Sequence, residues 1–212
     1  WLKHANHIIA GCDWVYYLWY WDTLMLAHFS IDTELFKPTI ENFRKLKSTP
    51  LKIFHAPNHK NIKGTKHVIK TINELKIKGY NVDLILAENK TNNEIRRLLN
   101  QSDIVVDQLI IGWYGIFALE AMALEKPVIC YLDEKLRNLY LEAELIEKDE
   151  IPIIDASFLT LEDKLIHLIK NPEKLKCIGE KSREYVLKHH SLDSVGNVFT
   201  DILKRLGIFP LL

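Results

Sequence analysis

The sequence predicts an α/β fold built on a doubly wound parallel sheet, with additional helices at the C-terminal end. Between residues 51 and 154, short apolar segments alternate with longer amphipathic ones, as strands and helices do in such folds. The apolar segments are rich in Val, Ile and Leu and have no polar face, which indicates that helices cover both sides of the sheet. Beyond residue 159 the pattern is helical only.

The first strand–helix unit begins at residue 51. Residues 51–57 are a short apolar strand that ends in a turn at Pro57. Gly64–Lys78 is predicted to be an amphipathic helix, and Gly79 stands where that helix should stop. The apolar residues of its buried face are Val68, Ile69, Ile72 and Leu75.

The next units follow at similar spacing. Val82–Ala87 is the second predicted strand, and Thr91 with Glu94 forms a capping box that starts a helix. A glycine turn and an apolar helix, residues 112–123, lie between the third and fourth strands. Those two strands and a fifth are predicted at residues 103–106, 127–132 and 151–154.

The two ends of the chain differ from this pattern. Residues 1–36 are aromatic-rich and irregular, and Lys37-Pro38 marks a break after them. We therefore expect residues 1–36 to be the tail of a truncated N-terminal domain with a hinge, residues 37–190 the main domain and residues 191–212 a C-terminal helix. Helix starts are indicated at Thr160 with Asp163, at Pro172 and at Ser191.

Composition excludes several classes of protein. The chain has 212 residues with 28 basic and 28 acidic side chains, so its net charge does not indicate binding to nucleic acid. Its three cysteines are widely spaced, which argues against a disulfide framework and favours a cytoplasmic setting. The aromatic run at residues 14–21 is far shorter than the roughly 20 residues that span a bilayer.

Ligands of doubly wound sheets bind beyond the carboxyl ends of the strands, where several candidate residues fall. Lys63-Gly64 at a helix start suits an anion, although such a pair is more often a solvated loop with a helix-start glycine. Two interpretations are open for the turn Gly112, Trp113, Tyr114 and Gly115. Its glycines either let the backbone approach a ligand closely or form a tight turn whose two aromatic side chains pack on a neighbour. Glu120 lies in an otherwise apolar helix, where an acid is costly unless a partner such as a ribose diol satisfies it.

Other chemistries have less support. His55 and His59 follow the first strand without an acid to complete a metal site, so we expect no metal. The chain lacks both the P-loop and the Gly-x-Gly-x-x-Gly dinucleotide pattern. No Ser-His-acid or Cys-His set can be assembled, which argues against a nucleophilic hydrolase.

Taken together, the motifs resemble the C-terminal, Rossmann-like half of GT-B glycosyltransferases, in particular the retaining family that includes sucrose-phosphate and glycogen synthases (a family 4-like resemblance). The resemblance covers roughly residues 30–206. It rests on His-Ala-Pro-Asn-His-Lys-Asn-Ile-Lys-Gly-Thr at 55–65, Ser-Asp at 102–103, Gly-Trp-Tyr-Gly-Ile-Phe-Ala-Leu-Glu-Ala-Met-Ala at 112–123, Lys-Pro-Val at 126–128 and His-Ser-Leu-Asp at 190–193.

The resemblance implies a nucleotide-sugar site in residues 37–190. By analogy with that family, Lys63 would bind the diphosphate and Glu120 would bind the ribose. Gly115 and the backbone amides after it would face the phosphate and the sugar. Gly112 replaces the family's first glutamate, and Asn58 stands where an arginine is common. The full set of expected binding residues is His55, Asn58, Lys63, Gly112, Trp113, Tyr114, Gly115, Ile116 and Glu120.

The resemblance further implies a hexosyltransferase-like enzyme that uses a nucleotide-sugar donor, requires no cofactor or metal, and retains the anomeric configuration. The acceptor, a saccharide or a lipid-linked molecule, would bind largely outside this chain, so we expect little activity from this chain alone. No nucleic acid is expected as a partner, and membrane contact would be peripheral, at the cytoplasmic inner face. Two alternatives stay open: a nucleotide-sugar epimerase of GT-B architecture, and a degenerate domain without catalysis.

Overall fold

The computed structural model describes residues 4–38 and 50–208. Two short N-terminal strands precede the main sheet, whose five strands are β3 (Leu51–His55), β4 (Val82–Leu86), β5 (Ile104–Val106), β6 (Val128–Cys130) and β7 (Ile154–Asp155). These five strands are parallel and lie in the order β4-β3-β5-β6-β7. The predicted doubly wound α/β fold is confirmed.

Helices cover both faces of this sheet because successive strand residues point to opposite sides. Phe54 and Val105 belong to one buried cluster, whereas Ile53 and Ile104 belong to the other. The helices are α1 (Lys60–Lys63), α2 (Thr65–Ile77), α3 (Asn92–Gln101), α4 (Ile116–Ala123), α5 (Glu134–Glu142), α6 (Leu161–Lys170), α7 (Glu173–His189) and α8 (Leu192–Arg205). The first cluster includes residues of α3, α4, α5 and α7, and the second includes residues of α2 and α6.

Local signals placed most helix boundaries correctly. The Thr91–Glu94 capping box is present at the start of α3, and Ser191 caps α8 by accepting a bond from Ser194 N at 3.1 Å. Gly79 adopts φ +85° just after α2, as a helix-ending glycine should. These signals act within four residues, so their outcome does not depend on distant packing.

Two predictions need correction, and one helix was not predicted. Thr160 precedes α6, but its hydroxyl accepts a bond from Ser157 N at 3.1 Å instead of capping the helix. The last strand lies at Ile154–Asp155 rather than at residues 151–154, because its pairing with β6 starts only at Ile154. Helix α5 was not predicted, although Asp133 caps it and its buried residues Leu136 and Tyr140 are spaced one turn apart.

The N-terminal segment packs onto the first face of the sheet. It contains β1 (Ile9–Gly11) and β2 (Thr23–Met25), which pair in parallel, and a 3-10 helix at Cys12–Tyr17 between them. Its buried residues belong to the same cluster as α4 and α5. Ile31 N also donates to His190 O at 2.8 Å, which joins the segment to the end of α7. The assignment of residues 1–36 to a separate domain stays a prediction.

No helix within the described ranges combines the length and the apolar character that crossing a membrane would require.

Candidate functional site

The loop between β5 and α4 lies at the carboxyl edge of the sheet and is held at several points. Gln108 donates from its side chain to Trp113 O and accepts from Tyr131 N through its backbone carbonyl at 2.8 Å. Gly112 O accepts from Asp133 N, also at 2.8 Å. These bonds run from one end of the loop to the other and tie it to the segment after β6. The loop therefore presents a fixed surface where ligands of this fold class bind.

Lys63 and Gly115 come together at this edge through Asp107. The Lys63 ammonium pairs with Asp107 Oδ1, and Gly115 N donates to Asp107 Oδ2 at 3.2 Å. A Cβ built on Gly115 would lie 3.9 Å from Lys63 Nζ. The Asp107 side chain is fully buried, whereas that of Lys63 keeps 11% of its surface exposed. The ammonium is thus fixed beside the start of α4 on a side chain that is mostly buried.

The N-terminus of α4 has no side-chain cap from its capping residue. Gly115 precedes the helix in an extended conformation, and its own amide donates to Asp107. The first-turn amides of a helix have no partner within the helix and carry partial positive charge, which favours an anion there. Ile116, the first helical residue, is half exposed, so this end of α4 reaches the surface.

Glu120 lies four residues after Ile116 and therefore on the same stripe of α4. Its side chain is half-buried, and no hydrogen bond or ion pair joins it to another described residue. Burial raises the pKa of the Glu120 carboxyl above its ordinary value. A carboxylate in this position is available to two hydroxyl donors.

Removing the charge of Glu120 should stabilise the ligand-free protein at neutral pH. The pKa of Glu120 is raised in the folded state, so above the ordinary carboxyl range the folded state binds more protons than the unfolded state. The free energy of unfolding therefore falls as the pH rises through this range. We expect Glu120→Gln to gain up to about 1 kcal/mol at pH 7, the lower end of the cost of an unpaired buried polar group.

The measurement is urea unfolding of Glu120→Gln and the parent chain from pH 3.5 to pH 7.5. The gain should shrink as the pH falls below the ordinary carboxyl value of 4.5. Glu142→Gln, at an exposed position of α5, is the matched control and should change little. A Glu120 variant less stable than the parent at pH 7 would mean that the carboxylate has a partner within the protein.

The His55 side chain is buried in the protein. Its ring is fully buried at the end of β3, where Nδ1–H donates to Val106 O at 2.8 Å and Nε2 accepts from the Thr65 hydroxyl at 3.0 Å. Burial lowers the pKa of His55, which agrees with a neutral ring. Both ring nitrogens are used in joining β3, β5 and α2, so the ring has no nitrogen left for a ligand, and a backbone contact of His55 with a ligand stays a prediction.

Trp113 and Tyr114 also point inward. Trp113 stacks between Tyr114 and Tyr140 at centroid distances of 4.9 and 4.8 Å, and its indole N–H donates to Leu26 O at 3.3 Å. The Tyr114 hydroxyl bonds to the Tyr185 hydroxyl at 2.8 Å. Both side chains are buried, so residues 113 and 114 could meet a ligand only through their backbone, and their place in the binding site stays a prediction. The two large rings point inward because they fill space beneath the loop.

Gly112 is confined by Asp133. A Cβ at residue 112 would lie 2.4 Å from Asp133 Cβ and 3.0 Å from Asp133 N. Asp133 is itself fixed, since its Oδ1 accepts from Leu136 N at 3.0 Å and from the Tyr16 hydroxyl at 2.7 Å. Residue 112 therefore has no room for a side chain, so packing explains why a glycine and not an acid stands at this position.

Asn58 lies at a neighbouring cavity. The cavity has a volume of about 370 Å³ and opens at the carboxyl ends of β3 and β4. Its lining is mixed: Ala56, Ala87 and Ile95 are apolar, and Asn58, Asn89 and Lys90 are polar. A flat heterocycle with polar edges fits such a lining.

Two important side chains escaped the sequence analysis. Asp107 was not singled out, because its role as the partner of Lys63 depends on contact between residues 44 positions apart. Asp133 was not singled out either, although an Asp before an amphipathic segment is a recognised capping signal. Among residues 4–38 and 50–208, no group of three His, Cys, Asp or Glu side chains is arranged to hold a metal ion.

Comparison with solved structures extends this description. The chain is similar to sucrose-phosphate synthase from Thermosynechococcus elongatus, with 14% identity and a TM-score of 0.67 over 97% of this chain and 59% of that one. It is similar to the C-terminal domain of a group 1 family glycosyl transferase, LpcC, from Francisella tularensis, with 20% identity and a TM-score of 0.54 over 76% of this chain and 99% of that domain. Anabaena HepE, solved in complex with UDP-glucose, matches with 14% identity and a TM-score of 0.61 over 86% of this chain and 57% of that protein.

These matches carry information about fold. The chain spans 59% of the length of the sucrose-phosphate synthase it resembles, and it overlays nearly all of an isolated C-terminal domain. No protein-family model and no curated protein sequence matches the chain. The chain therefore has the fold of the C-terminal domain of GT-B glycosyltransferases.

Proposed function

We propose that this chain is the donor-binding domain of a glycosyltransferase that moves a hexose-like sugar from a nucleotide-sugar to an acceptor with retention of configuration. The observation that carries the proposal is the placement of Lys63 beside the uncapped start of α4, with the partnerless Glu120 further along that helix. An anion site and a carboxylate that can accept from a diol, both on one helix, match the diphosphate and the ribose of a nucleoside diphosphate.

The spacing supports this assignment. Glu120 follows Gly115 by five residues, which corresponds to about 7.5 Å along a helix axis. This length is comparable to the separation of the diphosphate and the ribose diol in an extended nucleoside diphosphate. The cavity at Asn58 and Asn89 adds a mixed polar and apolar space for the base on the same sheet edge.

The same groups suit the departure of a diphosphate. Negative charge grows on the leaving group as the glycosidic bond breaks, and donors fixed in advance stabilise such charge best. Lys63 is fixed by Asp107, and its ammonium has three N–H donors of which Asp107 Oδ1 takes one. Because the pair is neutral overall, the first-turn amides of α4 would supply much of the positive potential. No metal or cofactor enters this scheme.

A nucleotide-binding assay tests the proposal. HepE, which has the same fold, was solved with UDP-glucose, so UDP is the first ligand to try, with GDP and ADP for comparison. Free nucleotide at 100 times its dissociation constant should raise the free energy of unfolding by ~2.7 kcal/mol. We expect Glu120→Gln to weaken UDP binding by about 10- to 100-fold, the loss of charge-assisted hydrogen bonds to the ribose.

The ribose provides an internal control. The 2′,3′-dideoxy form of the nucleotide lacks both hydroxyls, so it should bind the parent chain and Glu120→Gln about equally. Glu142→Gln should leave UDP binding unchanged. Absence of binding by all three nucleotides would contradict the proposal and favour a domain that keeps the fold without the ligand.

A further inference from the structure

Asp133 is an acid at the carboxyl edge of the sheet to which the proposed function assigns no role. It follows β6, the strand beside β5, and it caps α5 by accepting a bond from Leu136 N at 3.0 Å. Its own amide donates to Gly112 O at 2.8 Å, which joins it to the loop between β5 and α4. Asp133 therefore lies beside the loop that leads to the proposed donor site.

The Asp133 side chain occupies the place that a side chain at residue 112 would take. Asp133 Cβ lies 2.4 Å from the position of a Cβ built on Gly112. The carboxylate of Asp133 thus starts from nearly the same point as that of an acid at residue 112. Gly112 is among the residues expected to bind the ligand, so the start of α5 supplies an acid where the loop has none.

This position is within reach of a sugar carried by the proposed donor. The proposed function places the diphosphate at the start of α4 and the ribose at Glu120, further along the helix. The other end of the diphosphate then points away from the helix, toward the loop that precedes it. Gly115 is three residues after Gly112, so the chain between them spans at most about 11 Å. A sugar on that diphosphate can therefore extend along the loop to Asp133.

The Asp133 carboxylate is fixed and charged. Its Oδ1 accepts from the Tyr16 hydroxyl at 2.7 Å as well as from Leu136 N. A carboxylate has about four acceptor sites, so these two bonds leave room for further donors. Burial alone would raise the pKa of Asp133, but the bonds from Tyr16 and Leu136 outweigh it, and the pKa lies below its ordinary value. The group is thus an oriented acceptor that is ionised at neutral pH.

We propose that Asp133 contacts the sugar of the donor and selects a neutral hexose, an assignment that rests on the proposed function. Its carboxylate accepts hydrogen bonds from the hydroxyls of the sugar ring. An acidic sugar, such as a uronic acid, brings a second negative charge into the same site and is disfavoured by repulsion. Asp133 is therefore a specificity-determining residue, and the donor class is a nucleoside diphosphate linked to a neutral hexose.

Isothermal titration of the 212-residue chain tests this inference. The ligands are UDP, GDP and ADP and their conjugates UDP-glucose, GDP-mannose and ADP-glucose. For the nucleotide that binds best, we expect Asp133→Asn to weaken binding of the conjugate about tenfold, because a charged acceptor is replaced by a neutral one. Binding of the free diphosphate should change by less than about twofold.

The variant and its control are chosen to keep the fold. Asparagine is as good a helix cap as aspartate and can still accept from Leu136 N, so Asp133→Asn should fold, which far-UV circular dichroism checks. Asp163→Asn, at an exposed position in the first turn of α6, is the matched control and should bind every ligand as the parent does.

The charge of the sugar gives a second measurement. The parent chain should bind UDP-glucuronate more weakly than UDP-glucose, and Asp133→Asn should reduce that difference. Equal discrimination by the parent and the variant would contradict selection by the charge of Asp133.

The outcomes separate this inference from the proposed function. If a nucleotide binds but Asp133→Asn affects its conjugate and the free diphosphate equally, or affects neither, Asp133 does not contact the sugar, and the donor-site proposal stands. If none of the three nucleotides binds, the proposed function is contradicted, and the assignment of Asp133 fails with it.

Discussion

Lys63→Met should lower the free energy of unfolding by about 3–5 kcal/mol, a large effect for one lysine. The physical reason is Asp107, whose carboxylate is buried and pairs with the Lys63 ammonium. Without the lysine, Asp107 keeps only the bond from Gly115 N at 3.2 Å, and its charge stays out of water. Urea unfolding, followed by far-UV circular dichroism, measures the loss. The variant should also lose nucleotide binding, provided that it is assayed where it is still folded.

Two comparisons separate the buried charge from a general lysine effect. Lys76→Met removes an exposed ion pair with Asp83 at 2.8 Å and should cost less than about 1 kcal/mol. Adding Asp107→Asn to Lys63→Met should recover more than half of the lost stability, because a neutral amide can still accept from Gly115 N. If Lys63→Met costs no more than Lys76→Met, the pair is not the buried link described above.

Gly112→Ala is the second substitution with a large expected effect. The new methyl group would lie 2.4 Å from Asp133 Cβ and 3.2 Å from Asp133 Cα, so the start of α5 must move. Overpacking of this kind costs about 1–3 kcal/mol. Gly112→Glu should cost more, because the same contact is followed by a longer side chain. An acid therefore cannot be restored at this position by a single substitution.

The control is another glycine. Gly196 lies in α8 with nothing within 4 Å of an added Cβ, so Gly196→Ala should be neutral or should stabilise by up to about 1 kcal/mol. A double-mutant cycle of Gly112→Ala with Asp133→Gly should show coupling, since the second change removes the closest clashing atom. Purely additive effects, or a stable Gly112→Ala, would mean that the loop and α5 separate easily.

Sequence reasoning placed Lys63 and Gly115 at the same edge of the sheet, and the structure brings them together there. This followed from topology: the carboxyl ends of parallel strands share an edge, whatever the details of packing. The role of these residues and of Glu120 in binding a nucleotide stays a prediction.

Side-chain direction was less predictable. His55, Trp113 and Tyr114 belong to the matched motifs, yet all three are buried. Their partners come from Thr65, Tyr140 and Tyr185, on three different helices. Local sequence patterns do not predict the direction of an aromatic ring whose contacts come from several helices distant in the chain.

The sequence by itself determined the alternation of strands and helices, most helix ends and the edge of the sheet where ligands should bind. These features depend on hydrophobic periodicity and on bonds within one helical turn. Only the tertiary structure decided that Asp107 pairs with Lys63, that Asp133 fills the space beside Gly112, and that Tyr16 bonds to Asp133. Each of these outcomes depends on which residues distant in the chain come into contact and on how tightly they exclude water.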